Sequence, residues 1–534
     1  MTKYMKFYWK ENLLLFFIIV VGALSQVLSV VLNARAFNAL IAFDWTEFVK
    51  TMLLILFMLI IYILSLLIKI PYETRVSQLM STKIRTDVIS KLEDVSYQKY
   101  HEYDSGTFVS WITNDINTIE RDGFANVYLL ITMIVNMLFA SIALLFFHWS
   151  IIVYSVAVSV ITILLPRLVQ AKVRDAVIDF SKQQERFVSV MTSMIKGFDT
   201  LFSFNLVSRI TKTVTEASEE LADKRVKQQR AMAYSAILGA SGNLFGQAGV
   251  LVLTGYLAFK RIVSLGSITA TGALSETIFN SLGNITNVIV EIKTVQPIFE
   301  KFDALDADDA GDYLPFHKTN DQISLDNLNY SFGDNQLWTN VSYSFNEGGK
   351  YAIVGESGTG KTTLLNILNG KINDYQGSAK FSNNELKDVD GYQLRQEIIY
   401  LDQAPYIFDG SIFDNLTLGE SFSEQEIWEA LDVAGLKQFV QAQENQLESP
   451  VGEDGRLLSG GQKQRLSLAR GFLRGKRVIL IDEGTSSLDH ETALEIENKL
   501  VENADLTVIM VTHNLREEIA SKLDGILNLN DFKA

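Results

Sequence analysis

The sequence predicts a polytopic α-helical membrane domain followed by an α/β domain built around a phosphate loop. Three observations carry this. Apolar runs long enough to cross a bilayer crowd the first 300 residues, the pattern G-x-x-x-x-G-K-[ST] stands at residues 355–362 after a short apolar run, and charge is divided between the halves. Residues 1–300 hold 27 Lys and Arg against 23 Asp and Glu, whereas 301–534 hold 20 against 39. So acidic a second half argues against nucleic acid as a partner, because phosphate backbones are gripped by Lys and Arg. The absence of cysteine excludes disulfides, thiolate metal sites and a cysteine-peptidase domain.

The elements follow in chain order. Leu13 to Leu32 comes after Lys3, Lys6 and Lys10, is too long for a signal-peptide core and lacks a small-residue cleavage site, so it reads as a first span. Further runs lie at about 52–68, 127–147, 150–170 and 234–258. A sixth, about 267–290, is richer in Ser, Thr and Asn. The basic N-terminus and the stretches 69–123 and 171–230, which hold most of the remaining Lys and Arg, are expected on the cytoplasmic side. Lys260 and Arg261 run against that scheme. Both stretches carry helical apolar spacing with charged faces and are expected as helical extensions of the spans into the cytosol. The domains are thus expected at 1–300 (six spans) and 321–534. The acidic segment "DALDADDAGDYLPF" belongs to a linker at 301–320.

In the second half, strand-like Lys350 to Val354 runs into "GESGTGKTT". Glycine lets the backbone fold its N–H groups around phosphate, Lys361 reaches the β- and γ-phosphates, and the Thr362 hydroxyl suits Mg²⁺. The expected nucleotide-binding set is Gly355, Glu356, Ser357, Gly358, Thr359, Gly360, Lys361, Thr362 and Thr363. "RVILIDEGTSSLD" supplies a buried strand, Val478 to Ile481, ending in Asp482 and Glu483. A carboxylate at a strand tip holds Mg²⁺ through water, and its neighbour orients or deprotonates the attacking water. A second glycine-rich turn, "LLSGGQKQR" at 457–465, also opens a helix, although a complete phosphate loop is already present.

These motifs together resemble the ATP-binding cassette of ABC transporters. Ser459, Gly460, Gly461 and Gln462 stand where the family signature does, just before the Asp482-Glu483 strand; Gln403 in "YLDQAPYIF" resembles its glutamine loop, Asp489 in Ser487-Leu488-Asp489 its D-loop, and His513 in "VIMVTHN" its switch histidine. Phe332 takes the place of the tyrosine that stacks on adenine, keeping the ring face and losing the hydroxyl. Asp402 and Gly484 replace the commoner Pro and Ala. The resemblance implies ATP and Mg²⁺ as cofactors, with Thr362, Gln403 and Asp482 at the metal and Glu483, His513 and Gln403 catalytic. It also answers what the second turn binds: two cassettes pack head to tail, and the signature of one covers the γ-phosphate held by the other.

The resemblance extends to exporters. "DSGTFVSWITNDI" (104–116) and "IKGFDTLFSFN" (195–205) are similar to regions near short helices that dock on the cassettes, and "SPVGEDG" (449–455) to a loop touching those helices. A membrane half fused ahead of a cassette implies ATP-driven export by alternating access from the cytoplasmic membrane, with the cassette on the cytoplasmic side. The partner is a second half-transporter: a homodimer is favoured, and a heterodimer with a degenerate partner is the alternative. A regulatory membrane ATPase, an ATP-gated pore and a soluble NTPase with a hydrophobic interaction domain are the other readings. The cargo, among drugs, lipids and peptides, is unspecified. Glu276, Asn280, Asn284 and Asn287 fall on one face of the sixth span, and Asn243 and Gln247 lie one turn apart on the fifth. They either line a water-accessible cargo path or bond neighbouring helices.

Overall fold

The computed structural model describes residues 1–305, 313–333, 335–484, 490–512 and 515–533. The chain forms two compact units. The first is helical. Its principal helices are Trp9–Ile41, Trp45–Asp94, Ala125–Phe147, Trp149–Leu164, Gln170–Lys196, Ser208–Phe259 and Ser267–Thr294. In hydrocarbon every backbone group must be satisfied within the segment, which long apolar runs achieve only as helices. At 1.5 Å per residue, the 50 residues of Trp45–Asp94 reach about 75 Å, more than twice a bilayer core.

Among the described residues, five helices are long and apolar enough to cross a membrane. Ser267–Thr294 forms a continuous 28-residue helix but falls outside that set. Its Ser, Thr, Asn and Glu residues lower its hydropathy without interrupting its backbone hydrogen bonds. Val27, Leu144, Ile151, Val250, Leu274 and Phe279 build the apolar core of this unit. The break between Ala125–Phe147 and Trp149–Leu164 is set by His148, whose extended backbone ends one helix while its Nδ1 accepts from Ser150 N–H at 3.2 Å to cap the next. Within "SWITNDINTIERDG" the helix widens into π turns at Trp111–Asp115 and Ile119–Phe124.

The second unit joins the C-terminal α/β half to a short stretch from the membrane half, Asp94–Tyr103. A four-stranded antiparallel sheet contains β1 (Ile323–Phe332), β2 (Asn335–Phe345), β4 (Gln376–Phe381) and β5 (Asn384–Glu385), in the order β2-β1-β4-β5. A five-stranded parallel sheet contains β3 (Lys350–Val354), β6 (Ile398–Leu401), β7 (Val478–Asp482), β8 (Thr507–Val511) and β9 (Gly525–Asn528), in the order β6-β7-β8-β3-β9. Strands covered on both faces read as continuous apolar runs, and β7 and β8 are buried at every position. The register pairs Asp482 with Val511 on β8 and Val511 with Ile353 on β3. This brings the carboxyl ends of three strands level at one edge of the sheet, where α/β folds place ligands.

Candidate nucleotide site

Three loops converge on that edge. The phosphate loop leaves β3 and opens the Lys361–Leu368 helix. Gly358 and Gly360 hold φ of 83° and 85°, which side chains rarely adopt, and a Cβ on Gly360 would lie 2.7 Å from Nε1 of the buried Trp338. Lys361 is 6% exposed, and its ammonium donates to the carbonyls of Gly355 at 2.8 Å and Glu356 at 2.9 Å. Thr359 Oγ1 donates to the Glu356 carbonyl at 2.9 Å, closing the loop on itself. Glu356, Ser357, Gly358 and Thr362 remain exposed, whereas Thr363 turns partly inward.

Asp482 ends β7 and is 2% exposed. Burial raises its carboxyl above the ordinary Asp value, Glu483 and Asp402 add to the rise, and hydrogen bonds from Thr362 and Tyr400 oppose it. A buried carboxylate flanked by a threonine hydroxyl on a phosphate loop fits Mg²⁺, which is usually held by one or two carboxylates plus substrate phosphates. Glu483 adopts φ of 51°, its N–H donating to Val511 O at 3.1 Å. Its Oε2 accepts from Gln403 Nε2 at 2.9 Å. A glutamate in the left-handed region is strained, and such outliers cluster at functional sites.

The signature turn is built differently. Ser459 caps Gly460–Leu473, its Oγ accepting from Gln462 N–H at 3.3 Å while Gln462 Oε1 accepts from Ser459 N–H at 2.8 Å. Gly460 and Gly461 are already helical. Ser459 and Gly460 are exposed, as is the Phe332 ring at the end of β1. Asp489 and His513 lie outside the described residues.

Several contacts at this edge escaped the motif reading. Gln464, inside the quoted signature stretch, donates through Nε2 to the Gln403 carbonyl at 3.4 Å and ties signature helix to glutamine loop. Asn530 accepts from the Glu356 N–H at 3.1 Å from the far end of the chain. Tyr400, two residues before Asp402, donates its hydroxyl to Asp482 at 3.2 Å. Isolated polar residues of these types carry no spacing signal, so only tertiary placement identifies them.

In the helical unit, Asn243 Nδ2 donates to Asn280 Oδ1 at 2.6 Å, Gln247 Nε2 to Asn243 Oδ1 at 2.8 Å, and Asn284 Nδ2 to the Asn280 carbonyl at 3.0 Å. The amides of Ser208–Phe259 and Ser267–Thr294 thus form one ladder between the two helices. Glu276, Asn280, Asn284 and Asn287 are all exposed in the single chain.

The family model of the ABC transporter transmembrane region matches residues 12–282, and that of the ABC transporter matches 338–486. The chain is 27% identical over 354 residues to the transport/processing ATP-binding protein ComA of Streptococcus pneumoniae, with 64% of this chain and 48% of that protein covered. It therefore spans about half the length of that relative. To the ATP-dependent lipid A-core flippase of Photorhabdus laumondii it is 23% identical over 458 residues, covering 84% of this chain and 78% of the flippase. Its fold matches a bacterial Atm1-family ABC exporter with ATP bound at a TM-score of 0.82 and 20% identity, over 97% of this chain and 93% of the other.

Proposed function

The chain belongs to the ABC transporter family, and from that premise we propose that it exports an amphipathic, lipid or peptide cargo across the cytoplasmic membrane, as one half of a homodimer. The observation that carries the proposal is the pairing, in one chain, of a nearly complete hydrolytic half-site with an outward-facing signature turn. Lys361, Asp482, Glu483 and Gln403 gather at one sheet edge, while Ser459 and Gly460 face solvent and cap only their own helix. Two identical chains then supply two competent sites.

In this reading the phosphate-loop N–H groups and Lys361 bind and orient the triphosphate, and Phe332 stacks on the base. Thr362, Asp482 and Gln403 would hold Mg²⁺, which neutralises charge developing on the phosphates when bound. Glu483 accepts the proton of the attacking water, and His513 hydrogen-bonds the γ-phosphate. The Gln403–Glu483 contact keeps the base engaged within the glutamine loop until nucleotide rearranges that loop. The partner's Ser459 and the first N–H groups of its helix complete the phosphate shell with their positive dipole end. ATP thus joins two cassettes and hydrolysis parts them, switching the membrane helices between inward- and outward-open. The flippase relative is named for moving lipid A-core; lipid is therefore one cargo class to screen.

Two measurements test this. Cysteine is absent from the sequence, so Ser459→Cys and Gly358→Cys introduced on different subunits report only their own proximity; ATP should promote a crosslink between chains, and its failure with ATP bound sinks the head-to-tail dimer. Inside-out vesicles should accumulate cargo against a gradient only with hydrolysable ATP. Flow down the gradient opened equally by a non-hydrolysable analogue would mark a gate instead.

A further inference from the structure

The stretch Asp94–Tyr103 belongs to the cassette's compact unit, although it directly follows the 50-residue Trp45–Asp94 helix that carries a candidate span. Its short helix, Tyr97–His101, is capped by Ser96 and stiffened by the Tyr97 ring lying 4.0 Å from the His101 ring. Opposite stands Lys371, just beyond the Lys361–Leu368 helix, its backbone N–H fixed on the Asn366 carbonyl at 2.8 Å. The Lys371 ammonium sits 4.9 Å from the Tyr97 ring centre and 3.9 Å from that of Tyr400. Tyr400 in turn donates its hydroxyl to Asp482.

We propose that Lys371 is a positioning residue: clasped between Tyr97 and Tyr400, it links the intracellular segment at the end of a membrane helix to the buried carboxylate that holds Mg²⁺. The proposal rests on the reading of Asp482 as the metal carboxylate. The Lys371 ammonium thus lies against two ring faces at once. Burial pulls that ammonium below the ordinary lysine value, while Asp402 and then Asp482 favour its charge. A cation costs free energy in such a place unless the π faces and carboxylates offset it. Asp402, which stands where proline is commoner in the family, thereby acquires a purpose as counter-charge. Movement of Tyr97 removes one face of the clasp, which shifts the balance on Tyr400 and hence on Asp482. A leucine in place of Lys371 would fill the space without transmitting charge.

The test uses full-length transporter in lipid nanodiscs, in a Glu483→Gln background with ATP, and reads Mn²⁺ affinity by electron paramagnetic resonance. Tyr97→Leu and Lys371→Met should each weaken Mn²⁺ binding about three- to tenfold, the span of a partly desolvated cation–π contact. The double variant should be no weaker than either single one, whereas Lys371→Arg and Tyr97→Phe should stay near the parent. ATP affinity without metal, set by the phosphate loop, should not move, which separates the effect from misfolding. An unchanged Mn²⁺ affinity in Tyr97→Leu overturns the link, and so does equal damage from Lys371→Arg and Lys371→Met, which would make the lysine a spacer. Asp482→Asn distinguishes the two levels. If it leaves Mn²⁺ binding intact, the metal assignment falls and the link with it; if it abolishes binding while Tyr97→Leu does nothing, the link alone falls.

Discussion

Two glycine-rich turns each open a helix in the same cassette, yet they are built on opposite principles. The phosphate loop curls on itself: Gly358 and Gly360 take left-handed conformations and Lys361 is drawn inward onto two carbonyls. The signature turn folds around nothing. Its glycines are ordinary helical residues, and each of its two polar side chains accepts from the other's backbone N–H in a capping box. A loop that wraps can enclose a phosphate alone, whereas an exposed helix start offers its N–H groups to an anion from one side. The proposed head-to-tail pairing uses that difference, setting the open turn of one chain on the wrapped phosphate of the other.

The largest expected effect separates holding nucleotide from spending it. Glu483→Gln keeps the shape of the side chain that accepts from Gln403 and removes its basicity, so ATP turnover should fall by about a hundredfold or more. Nucleotide binding should survive. Lys361→Ala should do the reverse, losing ATP affinity measured directly by a fluorescent analogue. Equal loss of binding in both variants would mean that Glu483 supports the loop rather than the chemistry.

The next substitutions strike the signature turn. Ser459→Asp retains an N-cap acceptor, so thermal stability should change by less than about 1 kcal/mol. The added negative charge would nonetheless face the partner's triphosphate, and turnover should drop by roughly tenfold or more. If Ser459 serves only its own helix, Ser459→Asp should hydrolyse ATP like the parent. A fall in unfolding temperature would also count against the present assignment.

A smaller and sharper contrast comes from placing one methyl group on each turn. Gly360→Ala must hold a side chain at φ 85° against Trp338, at a cost of about 1–3 kcal/mol. ATP affinity should fall by roughly tenfold, because the loop itself is displaced. Gly460→Ala meets no such backbone penalty and should leave the unfolding midpoint level or raised. Its damage, if the turn covers a partner, should appear only in turnover. Matching stability losses in the two variants would dissolve the distinction between wrapping and covering.

How much of this could be read in advance depends on whether a function needs consecutive residues. Phosphate loop, strand-tip carboxylates and signature are contiguous because a backbone must turn at one place, so their chemistry shows in short strings such as "GESGTGKTT". The strands β3 and β7 were equally legible as short, mostly apolar runs. Tyr400, Lys371 and Gln464 were not, since each acts through a neighbour distant in sequence. The resemblance of "DSGTFVSWITNDI" (104–116) pointed to a cassette-docking helix nearby, and Asp94–Tyr103, the stretch just before it, belongs to the cassette unit. The run expected as a sixth span forms a helix, which lies outside the five long and apolar enough, among the described residues, to cross a membrane.

That polar helix carries the last and smallest prediction. The amide ladder leaves two kinds of residue on one exposed face: Asn280 is engaged with Asn243 and Asn284, whereas Glu276 stands a turn away toward the start of the helix. Asn280 should therefore matter for holding the two helices together, and Asn280→Ala should loosen both transport and stability. Glu276 should matter for what passes. A single carboxylate beside neutral amides attracts cationic amphipathic cargo more strongly in a low-dielectric setting than in water. Glu276→Gln preserves size and removes that charge, so export or ATPase stimulation by cationic compounds should weaken by a few fold, about the effect of 1 kcal/mol. Neutral compounds and basal ATPase should be unaffected. An equal loss for both classes would assign Glu276 to the helix ladder, and no loss for either would take it off the cargo path.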